Sequence, residues 1–249
     1  MTLAVPTLEI PDMSWPVVQS RIAQFWQARE APHISILAKT RAGKSYLLTR
    51  GLLPLAQNER VLFIDFKGND RTLSGYGKPV RQIPPKAMRL RSIIQKPSPE
   101  EYWYRLVIHK GPQNVDAARA QVARALDRVF HEGDWVVLID ELRPITDPQP
   151  PCLKLKPYYE ELILRGGSNG IASASASQEP RWLPGCFYTQ ANFYFFSRIE
   201  DQATQKRIAE VGSVKALLPH IQAIPNRRWI YMDDMEESGE RFWGRTKVE

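Results

Sequence analysis

The period of apolar residues changes several times along the chain, and each change predicts an element. Four short runs are apolar almost throughout: residues 33–37 (HISIL), 60–66 (RVLFIDF), 135–139 (WVVLI) and 191–197 (ANFYFFS). Such runs suit strands buried on both faces of a parallel sheet. Residues 171–177 (IASASAS) and 102–108 (YWYRLVI) predict two more strands. Between them the period lengthens to that of helices. Val18, Ile22, Phe25 and Trp26 share a face over residues 17–30. Val115, Ala118, Val122, Leu126 and Val129 share another, from a cap at Asn114 to about residue 131. Helices are also expected from 44 to about 55, stopped near Gly51 and Pro54, and over 158–165 and 201–211. Residues 228–232 and 241–248 read as a hairpin around the turn DDMEESGE. Strands alternating with helices predict an α/β fold: a mainly parallel central sheet with helices on both faces and a C-terminal β-hairpin.

The segments outside this alternation are short on pattern. Residues 1–15 hold several prolines and read as an extended arm, so an arm and helix (1–30) precede a single α/β domain (31–249). Residues 67–100 are rich in glycine and proline and read as short strands and surface loops; residues 144–157 read as a proline-rich loop. The aromatic runs at 102–104 and 193–196 have strand spacing and are read as core rather than as platforms for bases.

One of these junctions carries chemistry. Residues 34–48 read ISILAKTRAGKSYLL, an apolar strand, a tight loop and the start of an amphipathic helix. Loop N–H groups converging on a helix N-terminus form an anion site. The spacing is that of a Walker A phosphate-binding loop for ATP, formed by Ala38, Lys39, Thr40, Arg41, Ala42, Gly43, Lys44, Ser45 and Tyr46. Lys44 would reach the β- and γ-phosphates and the Ser45 hydroxyl would hold Mg²⁺. Gly43 lets the backbone approach the phosphates. Ala38 stands where the pattern has glycine, so the loop entry is expected either to differ slightly or to accept strain.

A second junction completes the chemistry. The strand WVVLI ends in Asp140-Glu141, at the edge where open α/β sheets bind ligands. Asp140 takes the Walker B position in the Mg²⁺ shell, and Glu141 the position of the general base that orients water. The strand of small residues ends in Gln178, whose amide can sense the γ-phosphate or the water.

Composition narrows the partners only a little. Hydrophobic residues make up 43% and charged residues 24% of 249, which is ordinary for a soluble globular chain. A formal charge of +7 and a pI near 9.4 favour a polyanionic partner, weakly because the excess is spread out. No apolar run approaches the roughly 18–20 residues of a membrane span, and no signal peptide is read, so a cytoplasmic protein is expected. Cys152 and Cys186 read as reduced thiols, and the four histidines show no ligand spacing.

VLFIDFKG, VVLIDE and a Gly-Ile strand closing in Ser-Gln-x-Pro, in this order after the phosphate loop, resemble the FtsK–HerA superfamily of DNA-translocating P-loop ATPases. The resemblance spans about residues 33–232. It implies a RecA-like core, with Thr40, Gly43, Lys44 and Ser45 in the nucleotide loop, and Asp65 and Lys67 at the second strand end. It likewise implies Asp140 and Glu141 as the Walker B pair and Gln178 as the sensor. The family often carries an arginine before the sensor strand that acts across a subunit interface. Gly167 stands at that position here, and Arg165 two residues earlier is the first candidate for a finger in trans. Arg198 is the second; for both, a surface or sheet-edge arginine is the alternative.

The resemblance further implies double-stranded DNA as partner and a homo-oligomer, commonly a hexameric ring. A bare motor of this length is most similar to genome-packaging ATPases of tailless, membrane-containing viruses, which would add capsid or membrane-vertex proteins as partners. Plasmid or conjugative translocases are the next reading, and an assembly, export or switch ATPase that does not move DNA is the third. Arg227-Arg228 and Lys206-Arg207 read as solvated faces, with phosphate contact the alternative.

Overall fold

The computed structural model describes residues 9–68, 72, 75–83, 103–108, 114–211, 215–235 and 242–248. Most of residues 67–100, the start of the strand predicted at 102 and the tip of the terminal hairpin lie outside them.

A nine-stranded sheet organises the chain. In sequence the strands are β1 (His33–Leu37), β2 (Arg60–Asp65), β3 (Lys78–Val80), β4 (Trp103–Val107), β5 (Trp135–Ile139), β6 (Ile171–Ser177), β7 (Phe193–Phe196), β8 (Trp229–Asp233) and β9 (Phe242–Thr246). In space the order is β3-β4-β2-β5-β6-β1-β7-β8-β9. Strands β1 to β7 all run parallel; β8 pairs antiparallel with β7 and with β9, which makes the expected hairpin.

Helices cover both faces because each buried strand alternates its side chains between two apolar layers. On one face Ile34, Ile36, Val136, Leu138, Ala172 and Ala174 pack with α1 (Trp15–Phe25) and with the helix that follows the phosphate loop. On the other, Leu62, Val137, Ile139 and Ile171 pack with α3 (Val115–Glu132) and α5 (Lys156–Arg165). Trp15, Val18, Ile22 and Trp26 are all buried, so the helix ahead of β1 packs directly into the first layer.

Three local outcomes differ from the sequence reading. The helix after the phosphate loop starts as α2 (Lys44–Tyr46), widens into a π-helix (Leu47–Leu52) and ends as a 3-10 turn (Leu53–Ala56). Gly51 therefore does not stop it. A Cβ there would lie 2.8 Å from Trp15 Cζ2, so this glycine lets α1 pack close. The proline-rich segment 144–157 contains a short helix, α4 (Arg143–Thr146), with its proline in the first turn, where the missing N–H costs nothing. Two further short helices, α6 (Cys186–Thr189) and α8 (Leu218–Ala223), flank β7 and α7 (Gln202–Val211).

Candidate functional site

Strand order brings the motifs together. β6 lies between β1 and β5, and β2 lies beside β5, all parallel. Their carboxyl ends therefore deliver the phosphate loop, Gln178, Asp140-Glu141 and Asp65 to Lys67 side by side at one edge. The register is tight: Leu37 is level with Ser177, and Ile139 with Ser175. A cleft of about 980 Å³ opens there, lined by residues 40–46, Lys67 and Gln178.

Within the loop, Gly43 has φ of 98°, a left-handed conformation that an L side chain rarely adopts. Of the two outcomes expected at Ala38, the loop entry differs rather than accepting strain: Ala38 is not among the residues of positive φ, and Arg41 is, at 64°. The departure from the glycine pattern is thus absorbed mid-loop, and Ala38 instead continues the β1 ladder by donating its N–H to Ser177 O at 3.2 Å. Lys44 is buried, and its ammonium donates to Ala38 O at 2.8 Å and Lys39 O at 2.7 Å. Burial lowers its pKa to about 8, with Lys67 adding to the shift and the Glu141 and Asp140 carboxylates opposing it. Lys39 is held outside by an ion pair with Glu200.

Ser45 and Asp140 meet directly: the Ser45 hydroxyl donates to Asp140 Oδ1 at 2.7 Å. Asp140 is fully buried. Its Oδ2 makes no hydrogen bond but forms an ion pair at 2.7 Å with the Lys67 ammonium, which also donates to Ser45 Oγ at 3.1 Å. The backbone of this turn is set by Asp65, whose Oδ1 accepts from the N–H groups of Lys67 and Gly68 at 2.8 Å each. Arg105, buried on β4, closes on Asp65 Oδ2 at 3.4 Å. Among the described residues no group of three His, Cys, Asp or Glu side chains forms a metal site. The Ser45–Asp140 pair offers only oxygen, the donor set for a hard cation that completes its shell with phosphate oxygens and water.

Glu141 points to the other side of the same strand end. Its Oε1 accepts from Ser177 Oγ at 3.0 Å and from the Gln178 N–H at 3.3 Å, while its buried Oε2 has no hydrogen-bond partner. Burial pushes its carboxyl above the usual glutamate range, against the pull of Lys44 and these hydrogen bonds. The Gln178 side chain accepts a hydrogen bond from the Thr40 hydroxyl, which ties the end of β6 to the loop after β1. A carboxylate with one oxygen fixed and the other without a hydrogen bond can accept a proton from water.

Of the far wall of the cleft, the sequence singled out only Arg227, as a solvated face or a phosphate contact. Arg227, Trp229, Lys247 and Val248 close it, from the turn before β8, the start of β8 and the residues after β9. Trp229 Cζ2 would lie 3.9 Å from a Cβ at Gly43, so the indole packs beside the loop end at van der Waals distance. Of the arginines, Arg198 follows β7 at the same sheet edge as the cleft, paired with Glu200 at 2.8 Å. Arg165 lies just before β6, at the opposite edge, with its side chain 74% exposed and paired with Glu161 at 3.5 Å. The structure does not bring Arg165 to the loop of its own chain. His33 is buried between Ser173 and the Ile163 carbonyl, and desolvation holds it neutral, with a pKa of about 4.

The mainly parallel sheet with the loop at its centre is a fold shared with solved P-loop NTPases. Among solved structures, the genome packaging NTPase B204 from Sulfolobus turreted icosahedral virus 2, in complex with sulfate, superposes with a TM-score of 0.59 at 16% identity, over 88% of this chain and 98% of that one. VirB4 of Thermoanaerobacter pseudethanolicus gives 0.59 at 14% identity over 87% and 89%. The pCW3 conjugation coupling protein TcpA, with ATPγS, gives 0.54 at 15% identity over 88% and 61%. No protein-family model and no curated protein sequence matches the chain.

Proposed function

We propose that the protein is an ATPase that translocates double-stranded DNA as a ring, in the packaging of a viral genome. The observation that carries ATP hydrolysis is the convergence of Lys44, Ser45, Asp140, Glu141 and Gln178 at the carboxyl ends of three neighbouring parallel strands, with Lys44, Ser45 and Gln178 lining the cleft. Lys44 and the loop N–H groups bind the β- and γ-phosphates. Ser45 and Asp140 hold Mg²⁺, which neutralises phosphate charge. Glu141 takes a proton from the attacking water through its unpaired oxygen, while Gln178, steadied by Thr40, positions that water or the γ-phosphate.

The cargo reading rests on likeness in fold to the B204 NTPase, whose extent this chain nearly matches, and on the +7 charge. Arg165 is exposed and remote from its own cleft, which supports its acting as a finger on a neighbouring subunit's nucleotide; on this reading hydrolysis depends on ring assembly. The likeness to TcpA supports a conjugative translocase as the second reading. ATP turnover measured with and without duplex DNA at several salt concentrations tests the motor. Stimulation that fades with salt supports it, and turnover indifferent to DNA overturns it.

A further inference from the structure

Lys67 stands where the metal of the proposed nucleotide site belongs. Its ammonium contacts Asp140 Oδ2 at 2.7 Å and Ser45 Oγ at 3.1 Å, while Ser45 Oγ and Asp140 Oδ1 are themselves 2.7 Å apart. These are the oxygens that would coordinate a divalent cation. Asp140 is wholly buried, and a buried carboxylate without a counter-charge is costly. Lys67 supplies that charge from outside, since its side chain remains 36% exposed and lines the cleft.

We infer that Lys67 is a tethered cation that competes with the divalent metal for the Ser45–Asp140 pair. Two cations cannot share these oxygens at contact distance. Metal binding therefore displaces the ammonium into the cleft, where the phosphates of the nucleotide are its next available counter-charge. The geometry allows this motion without unfolding the turn. Asp65 anchors the backbone of residues 67 and 68 by two hydrogen bonds, and Arg105 anchors Asp65. The backbone stays fixed while the four-carbon stem swings. The consequence is ordered loading: metal alone competes poorly with Lys67, and metal arriving with nucleotide does not, because the phosphates receive the displaced charge. This rests on the assignment of Ser45 and Asp140 as the metal-binding pair of an ATP site.

The test is Mn²⁺ binding followed by the paramagnetic resonance signal of free Mn²⁺, with and without ATPγS. Wild type is compared with Lys67→Met, Lys67→Gln and Lys67→Met/Asp140→Asn. Without nucleotide, both single variants should bind Mn²⁺ about tenfold tighter than wild type, the scale of removing a neighbouring unit charge in a partly solvated site. The gain should vanish in the double variant and narrow when ATPγS is present. Melting temperature gives a second readout, since Mn²⁺ should stabilise Lys67→Met far more than wild type. Unchanged or weaker Mn²⁺ binding in both Lys67 variants overturns the inference, provided Asp140→Asn weakens Mn²⁺–ATPγS binding to the otherwise wild-type chain. If Asp140→Asn has no effect on that complex, the site assignment itself fails, and the inference with it.

Discussion

The hydroxyl of Ser45 donates to Asp140 Oδ1 at 2.7 Å across ninety-five residues of chain, joining the start of α2 to the end of β5. Each residue is ordinary alone. Joined, they make an oxygen pair at the mouth of the proposed phosphate loop, and the chemistry around them can be tested piece by piece.

Asp140→Asn removes the charge that a divalent cation needs while leaving a side chain of the same shape. ATP turnover should fall by about 10²-fold or more, the range for losing one electrostatic contact to the transition state. Nucleotide binding without metal should persist, as a fluorescent ATP analogue would report. Turnover within twofold of wild type would remove Asp140 from the site.

Glu141→Gln should retain ATP binding and lose hydrolysis by about 10²–10⁴-fold, the usual contribution of a general base. The pH profile gives an independent check. Glu141 must be ionised to act, and burial raises its pKa above 4.5, so the acid limb of turnover should lie above the ordinary glutamate range. A raised folded pKa also means that ionising this carboxyl costs stability. Wild type should lose stability relative to Glu141→Gln as pH rises through that pKa.

Lys44 gives the alkaline counterpart. Its pKa is lowered from 10.5 to about 8, so the folded protein releases this proton before the unfolded chain does. Between those values the unfolded state binds more protons, and this group's contribution to stability rises with pH. Nucleotide binding runs the other way. Affinity for ATP should decline as pH rises above about 8, and Lys44→Ala should bind weakly with no such decline. Calorimetric titration at three pH values decides it.

Gly51→Ala separates helix propensity from packing. In an exposed helix the change would stabilise by about 1 kcal/mol. Here the new Cβ would lie 2.8 Å from Trp15 Cζ2 and 3.1 Å from Leu47 Cδ1. Overpacking of this kind costs about 1–3 kcal/mol, so denaturant unfolding should show a net loss of stability.

Arg165→Ala, mixed with Glu141→Gln, probes the proposed action in trans. Each variant alone should be nearly inactive. A mixture should recover turnover, because some interfaces pair an intact finger with an intact base. No recovery, together with a fully active Arg165→Ala, would return Arg165 to an ordinary exposed residue and leave Arg198 as the candidate.

The parts of this protein that were legible in its residues are those whose signal is local. A strand buried on both faces must be apolar throughout, so β1, β2, β5 and β7 are visible as runs. A phosphate loop needs its glycine, lysine and serine within a few positions, so residues 38–46 announce themselves. Asp140, Glu141 and Gln178 are visible because strand ends in a parallel sheet are where side chains meet ligands. What tertiary structure alone decided depends on elements distant in sequence. That β6 inserts between β1 and β5 is a matter of sheet order, and it alone gives Gln178 both Thr40 and Glu141 as neighbours. Strain settled on Arg41 rather than Ala38 because the whole loop closes against fixed strand ends, and no single residue dictates its dihedrals. Gly51, read as a stop, became a packing site because Trp15 arrives from another helix. The Arg227–Trp229–Lys247 wall and the seat of Lys67 on Ser45 and Asp140 have no local signature. They exist because a sheet brings strand ends within ångströms regardless of how much chain lies between them.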